Sequence, residues 1–149
     1  MKRFVFRLEP LLKYKLTVEQ KQKGELATAN AKLRALQEEL KAMSDLFTRN
    51  AQELAAVLLE KSEAGELEKY SNYLRHLSEQ RRRQLALIEQ AQAVVRECQR
   101  VLIITMREVK TLTSLKEEQF RLYLEEVRAE EAKEIGDIVS YQTVAAVSE

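Results

Sequence analysis

The chain has very few of the residues that end helices and reverse a polypeptide chain. Its 149 residues include only three glycines and one proline, and tryptophan is missing. Compact domains need many turns, whereas this composition, with 33% charged residues, is typical of long helices and coiled coils. The length fits one domain, so we expect a single coiled-coil domain over residues 1–149.

The chain also has little cysteine and no long apolar run. Cys98 is the only cysteine, which excludes an intramolecular disulfide, and its heptad position predicts a buried thiol. The apolar start Phe4–Phe6 is interrupted by Arg7 and Glu9, so it does not resemble a secretory signal. Because no apolar run approaches the length of a bilayer span, we expect a cytosolic protein without direct membrane insertion.

Residue types that do chemistry are equally scarce. His76 is the only histidine, and no second imidazole or thiol accompanies it as a metal ligand. The chain lacks a glycine-rich phosphate loop, and the basic run Arg81–Arg83 has no interleaved aromatic residues of the kind that bind nucleic acid. We therefore expect no enzymatic activity, catalytic residue, cofactor, metal or nucleic-acid partner.

Two long heptad series are what the sequence does contain. Apolar residues recur at alternating steps of three and four from Leu26 to Val57 and again from Leu67 to Leu112. A period of about 3.5 residues keeps one seam of each helix facing a partner helix. The seam is interrupted by a few polar residues, namely Asn50 in the first series and Arg81, Gln84 and Thr105 in the second.

These series predict an all-α fold, a long antiparallel two-helix coiled-coil hairpin. We expect helix one over about 10–62, a turn at about 62–66, helix two over about 66–135 and a flexible tail over 136–149. Pro10 suits the first helical turn, and Gly65 is a candidate left-handed cap at the turn. A short loop between two long helices makes them antiparallel.

A turn centred on Ala64 places residues opposite each other when their numbers add up to about 128. Polar residues in a seam fix its register, and this register brings the interruptions of both helices together. That coincidence favours a monomer, with a parallel homodimer as the alternative. The predicted pairs are Asn50 with Ser78, Phe47 with Arg81, and Ser44 with Gln84.

The open end, where both chain termini lie, has a distinct surface. Residues 1–23 carry a net charge of +5 and residues 117–137 a net charge of −5, so we expect the two segments to lie side by side. Two helices cannot fully cover the apolar residues of this end, and exposed apolar clusters often mark partner sites. These residues are Phe4, Phe6, Leu8, Leu11, Phe120, Tyr123, Leu124 and Val127.

Three segments carry a resemblance to a known family. The start, Phe4–Leu12, is similar to the F-x-F-x-L-x-x-L-L opening of the flagellar export protein FliJ family. Tyr70–Leu77 resembles that family's Y-x-x-[FY]-[IL]-x-x-L, and Glu131–Ile138 resembles its closing K-E-x-D-[DE] region. In the last segment Gly136 stands where the family usually has an acidic residue.

The resemblance implies a cytoplasmic component of the flagellar type III protein export apparatus, peripheral to the inner membrane. It implies a stalk-like coiled coil in the pore of the hexameric export ATPase FliI, contacting the export-gate protein FlhA, with a further association with export chaperones. The open-end residues named above would then face the ATPase ring. The expected gate-binding residues are Leu46, Phe47, Asn50, Tyr70, Tyr73, Leu74 and Leu77.

A second hypothesis belongs to a different functional class. A two-helix coiled coil of this size also fits a stand-alone chaperone or a structural tether, such as a type III secretion homologue or a coiled-coil dimer.

Overall fold

The computed structural model describes residues 2–60 and 64–148, and these residues fold almost entirely into two helices. Helix α1 spans Glu9–Leu59 and helix α2 spans Ala64–Val147. The described residues contain no strand. The predicted all-α two-helix hairpin is confirmed, and its cause is the near absence of helix-breaking residues between Pro10 and Gly136.

The first helix begins one residue before the predicted start. Glu9 is its first residue, and the Glu9 N–H donates to the Phe6 carbonyl at 3.1 Å. Pro10 follows within the first turn, where its missing N–H removes no helical hydrogen bond. A carboxylate at this end is also favourable because the helix dipole is positive there.

Helix α1 ends, and helix α2 begins, earlier in the sequence than predicted. Helix α1 ends at Leu59, and Gly65 lies within the first turn of α2, so its assignment as a left-handed cap is wrong. Glu66 in the same first turn is acidic, as the positive helix end favours. Of the predicted turn, Ser62 and Glu63 lie outside the described residues.

The end of the second helix also differs from the prediction. Helix α2 continues through Gly136 to Val147, so the expected flexible tail over 136–149 is wrong as far as Val147. A glycine costs a helix about 1 kcal/mol relative to alanine. No proline follows Gly136, so this cost alone does not end the helix.

Contacts group the chain into two compact units, each built from parts of both helices. The first unit consists of Met1–Glu19 with Ile104–Glu149, and the second consists of Gln20–Ile103. Within each unit the segment of α1 runs antiparallel to the segment of α2, as the paired residues below show.

In the second unit the register differs from the predicted one. The Gln84 side-chain amide donates to the Leu36 carbonyl at 2.9 Å and to the Glu39 carboxylate at 3.0 Å. The prediction of Ser44 opposite Gln84 is therefore wrong. Glu39 and Gln84 have numbers that add up to 123, and so do the helix ends Leu59 and Ala64. The shift agrees with the earlier end of α1 and the earlier start of α2.

Ion pairs give the same register in the first unit. Lys15 pairs with Glu108, and Glu9 pairs with Lys116 at 2.8 Å. The residue numbers of these pairs add up to 123 and 125. All four side chains are partly exposed, so each pair contributes little to stability, but together they mark which residues of the two segments face each other.

The heptad residues form the buried seam of each unit. In the second unit the most buried apolar residues all belong to the predicted seam, and they are Leu77, Ile88, Ala91, Val95 and Leu102. In the first unit the most buried apolar residues are Phe6 and Leu12, which precede the predicted seam. Cys98, for which the heptad position predicts a buried thiol, is half-buried. Among the described residues, the polar seam residues Gln84 of the second unit and Thr105 of the first are buried too, and so is Glu19, which precedes the seam.

Candidate functional site

An aromatic cluster in the first unit joins the N-terminal segment, residues 2–8, to helix α2. The ring of Phe4 meets that of Phe120 edge-on at 5.1 Å and lies 5.4 Å from that of Tyr123. The Tyr123 hydroxyl donates to the Lys2 carbonyl at 2.8 Å. We call Phe4, Phe120 and Tyr123 the terminal aromatic cluster, since it holds the start of the chain on α2.

Alternation along the N-terminal segment explains why it docks in this way. This segment is not helical, and successive side chains of an extended segment point in opposite directions. Phe6 is accordingly 5% exposed, whereas Val5 is 77% exposed. Burying one such aromatic side chain contributes roughly 1.5–3 kcal/mol. The aromatic residues at alternate positions therefore anchor the segment.

Charged residues of both signs surround the cluster. Lys2 and Arg3 of the N-terminal segment line a cleft of about 610 Å³ together with Glu126 and Glu130 of α2. The cleft also includes Phe4, Tyr123 and the half-buried Val127. This is the arrangement that the net charges of residues 1–23 and 117–137 predict.

Some of the negative charge on this part of α2 is compensated within the helix. The Arg121 guanidinium donates to Glu118 at 2.6 Å and to Glu125 at 2.6 Å. The hydrogen bonds from Arg121 lower the pKa of Glu118, and the pKa of Arg121 is raised chiefly by the same contact. Glu126 and Glu130, which line the cleft, do not take part in these two contacts of Arg121.

Several of the expected open-end residues remain partly exposed beside the cluster. Phe120 keeps 44% of its surface exposed although it contacts Phe4. The structure thus brings Phe4, Tyr123 and Val127 together around one cleft, and Phe120 packs against the rings of Phe4 and Tyr123. Other predicted residues lie outside the cluster and are more than a third exposed, namely Leu8, Leu11 and Leu124.

The expected gate-binding residues lie in the second unit and differ in accessibility. Tyr73 is 42% exposed, and with Tyr70, Glu66 and Lys69 it lines a shallow groove on α2. Leu77 is only 4% exposed, so its side chain belongs to the seam. Tyr70 and Leu74 are half-buried.

The α1 residues of this expected site are engaged within the chain. Arg81 lies over the ring of Phe47, 5.3 Å from its centroid, which confirms the predicted proximity of these two residues. The Asn50 amide donates to the Leu46 carbonyl of its own helix at 2.8 Å. Asn50 thus uses one of its amide donors within its own helix.

The basic run Arg81–Arg83 is likewise engaged by neighbours in the chain. Arg82 donates to Glu79 at 2.6 Å, and Arg83 lies 3.7 Å from the same carboxylate. The hydrogen bond from Arg82 lowers the pKa of Glu79 and raises the pKa of Arg82. Arg82 and Arg83 are exposed and belong to a solvated helix face, whereas Arg81 is half-buried over Phe47.

Two features of the first unit were not anticipated from the sequence. The hydrogen bond from Tyr123 to the Lys2 backbone has no sequence signature, because a carbonyl acceptor is present at every residue. The helical stretch after Gly136 does have a sequence signature, because the apolar residues Ile138 and Val139 follow Ile135 at steps of three and four.

Within the described residues, no helix is long and apolar enough to cross a membrane. Residues 2–60 and 64–148 also contain no group of three histidine, cysteine or acidic side chains arranged to hold a metal ion.

Comparison with known proteins decides the family. The family model described as "Flagellar FliJ protein" matches residues 4–146, nearly the whole chain. The chain belongs to the FliJ family. Searches among curated proteins and among solved structures found no significant match. The FliJ match makes the protein a component of the flagellar type III export apparatus, with a role in protein transport.

Proposed function

We propose that this FliJ-family protein binds the hexameric export ATPase FliI through its terminal aromatic cluster, stimulates ATP hydrolysis, and couples the ATPase to the export gate FlhA. It would act on the cytoplasmic side of the inner membrane and without catalytic residues of its own. The observation that carries the proposal is the cluster of Phe4, Phe120 and Tyr123, which lies where the family resemblance expects the ATPase contact.

The exposure of the cluster supports a role in binding. An aromatic residue that served only to hold the N-terminal segment would be covered by it, yet Phe120 is 44% exposed. Leu8 and Leu124 add further partly exposed apolar surface in the same unit. Aromatic anchors surrounded by charged residues are typical of the energetically dominant part of a protein interface.

The gate contact is assigned to the surface around Tyr73. Tyr73 and Tyr70 line a groove with one acidic and one basic neighbour, Glu66 and Lys69. Leu77 acts in this proposal through the seam, because it is buried. The proposed ATPase and gate surfaces belong to different units, so separate variants can test them.

ATP turnover by the purified export ATPase tests the ATPase contact. We expect the wild-type protein to stimulate turnover, and the double variant Phe120→Ser, Leu124→Ser to lose that stimulation while circular dichroism stays nearly unchanged. Deletion of residues 2–8 should have the same effect. The matched control is Leu58→Ser with Leu59→Ser, since these leucines are also exposed but belong to the second unit.

The same variants separate the two proposed contacts. The cluster variant should still bind the export gate in a pull-down, whereas Tyr73→Ala should weaken gate binding and leave ATPase stimulation intact. Leu87→Ala serves as the control for Tyr73, because Leu87 is similarly exposed on α2. Normal stimulation by both cluster variants would contradict the assignment of the ATPase surface.

A further inference from the structure

Helix α2 carries a second stripe of residues beside its buried seam. The stripe follows steps of three and four, as a seam does, and it consists of Leu87, Gln90, Val94, Glu97, Val101 and Ile104. Its apolar members Leu87, Val94 and Ile104 are 47%, 54% and 42% exposed, whereas the neighbouring seam residues Ile88 and Val95 are buried. We call these six residues the lateral stripe.

A groove runs between the lateral stripe and helix α1. It has a volume of about 290 Å³, and Leu87 and Val94 of the stripe line it together with Lys32 of α1. The small side chains of Ala29 and Ala91, which also line it, leave room between the two helices. An apolar groove beside a seam can accept a further helix that has an apolar stripe of its own.

A second copy of this chain provides such a helix. The lateral stripe shows the same sequence of steps from either end, so two stripes match in the antiparallel direction when paired numbers add up to 191. This register places Leu87 opposite Ile104 of the second copy. A shift by one heptad in either direction would leave Leu87 or Ile104 opposite a polar residue.

Charge complementarity favours the antiparallel direction. In this register Val94 faces Glu97 of the second copy, and Lys32 lies along the same groove as Val94. The Lys32 ammonium and the Glu97 carboxylate therefore meet twice, once on each side of a two-fold axis. A parallel pair would instead place each Glu97 beside the same residue of the other copy, and like charges repel.

The contact that Glu97 makes within its own chain is compatible with this pairing. The Arg100 guanidinium donates to Glu97 at 2.6 Å, and both side chains are 61% exposed, so this pair contributes little to stability. A carboxylate can accept about four hydrogen bonds. Glu97 can therefore bind Lys32 of the second copy without releasing Arg100.

We propose that the protein forms a homodimer in which two hairpins pack antiparallel through their lateral stripes. The proposal goes beyond the proposed function, because the dimer requires neither the ATPase nor the gate. The seam within each hairpin stays intact. Since each copy offers only a few exposed apolar side chains, we expect a dissociation constant of roughly 1–100 µM. ATPase and gate binding can be measured below this concentration, where the protein is monomeric.

Sedimentation equilibrium of the full chain over a range of concentrations tests the proposal. We expect the mass to rise from 17.3 kDa toward twice that value as concentration increases. Val94→Glu should abolish this rise. The matched control is Val139→Glu, which should associate like the wild type, because both valines lie on α2 and are 54% exposed. Circular dichroism verifies that both variants are folded.

Two results of this experiment would overturn the proposal. One is a mass that stays at 17.3 kDa up to several hundred micromolar, which would leave the groove to a different protein. The other is a Val94→Glu variant that dimerises like the wild type, which would place the contact elsewhere on the chain.

Exchange of the two charges tests the predicted ion pair. Lys32→Glu and Glu97→Lys should each weaken dimerisation by about tenfold, because each change brings like charges together across the interface. The double variant Lys32→Glu, Glu97→Lys should restore most of the wild-type affinity. A double variant weaker than either single variant would contradict the antiparallel register.

Cysteine cross-linking tests the direction of the two copies. In a Cys98→Ala background, Leu87→Cys with Ile104→Cys should give disulfide-linked dimers on mild oxidation, because these positions face each other only between copies. Within one helix they lie about 25 Å apart, too far for a disulfide. Leu87→Cys alone should stay monomeric on non-reducing electrophoresis; a disulfide-linked dimer of this single variant would indicate a parallel pair and overturn the proposal.

Discussion

Gln84 is the residue that most clearly defines how the two helices meet in the second unit. Its side chain is 4% exposed, and its amide donates to the Leu36 carbonyl and to the Glu39 carboxylate. A polar residue at a seam position reduces stability but favours one register over its neighbours. Gln84 therefore contributes specificity, and the surrounding apolar residues contribute most of the stability.

Replacing Gln84 with leucine tests this division. The substitution removes the cost of burying the Gln84 amide, and the Leu36 carbonyl that loses this hydrogen bond still lies inside helix α1. We therefore expect Gln84→Leu to stabilise the protein by about 1 kcal/mol. Urea denaturation followed by circular dichroism measures the change. Destabilisation by a similar amount would mean that the two hydrogen bonds of Gln84 contribute net stability.

At the scale of elements, the register is the main difference between expectation and structure. Along α1, the seam residues Leu33, Leu36 and Leu40 follow one another at a step of three and then a step of four. Along α2 in the direction of decreasing residue number, Ala91, Ile88 and Gln84 show the same two steps. Equal steps face each other when paired numbers add up to 124, but not when they add up to 128. The matching of the seam steps can be read from the sequence, and it predicts the register better than the position of Gly65 does.

Paired cysteines distinguish the two registers directly. In a Cys98→Ala background, Leu36→Cys with Ile88→Cys should form a disulfide within one chain, because a disulfide needs Cβ atoms about 3.5–4.5 Å apart and this pair fits the observed register. Leu40→Cys with Ile88→Cys fits the register that adds up to 128 and serves as the control. Non-reducing electrophoresis and mass spectrometry report the products; preferential oxidation of the second pair would contradict the structure.

Gly136 tests where the second helix ends. A Cβ at this position would meet no atom within 4 Å, so alanine fits without displacing a neighbour. If α2 continues to Val147, Gly136→Ala should increase helicity and stabilise the end of the helix by about 1 kcal/mol. Circular dichroism and amide exchange of residues 137–147 measure this effect. A helix that ended at Gly136 with a glycine cap would instead lose order on this substitution.

At the scale of the whole molecule, the fold class followed from composition and period alone. Three glycines and one proline leave few places to interrupt a helix, and the heptad series in both halves require a partner for each seam. The helix ends were harder to predict, because Gly65 and Gly136 are compatible both with capping and with helical backbone.

The candidate ATPase site was predicted in part. The segments that carry Phe4 and Phe120 are expected to lie side by side because their net charges are opposite, and the structure places these two rings 5.1 Å apart. Accessibility was not predictable in the same way. Tyr73 and Leu77 belong to one family-like motif, yet one is exposed and the other buried, since burial depends on how the opposite helix lies.

The central claim is that the unit carrying both Phe4 and Phe120 contacts the ATPase. Site-specific photo-crosslinking tests it most directly, with a benzophenone side chain placed at Phe120 in one variant and at Leu59 in another, each mixed with the ATPase hexamer. Both positions are exposed, so a benzophenone at either one can reach a bound partner. The account predicts a crosslink to the ATPase from position 120 and none from position 59; a crosslink from position 59 alone would contradict it.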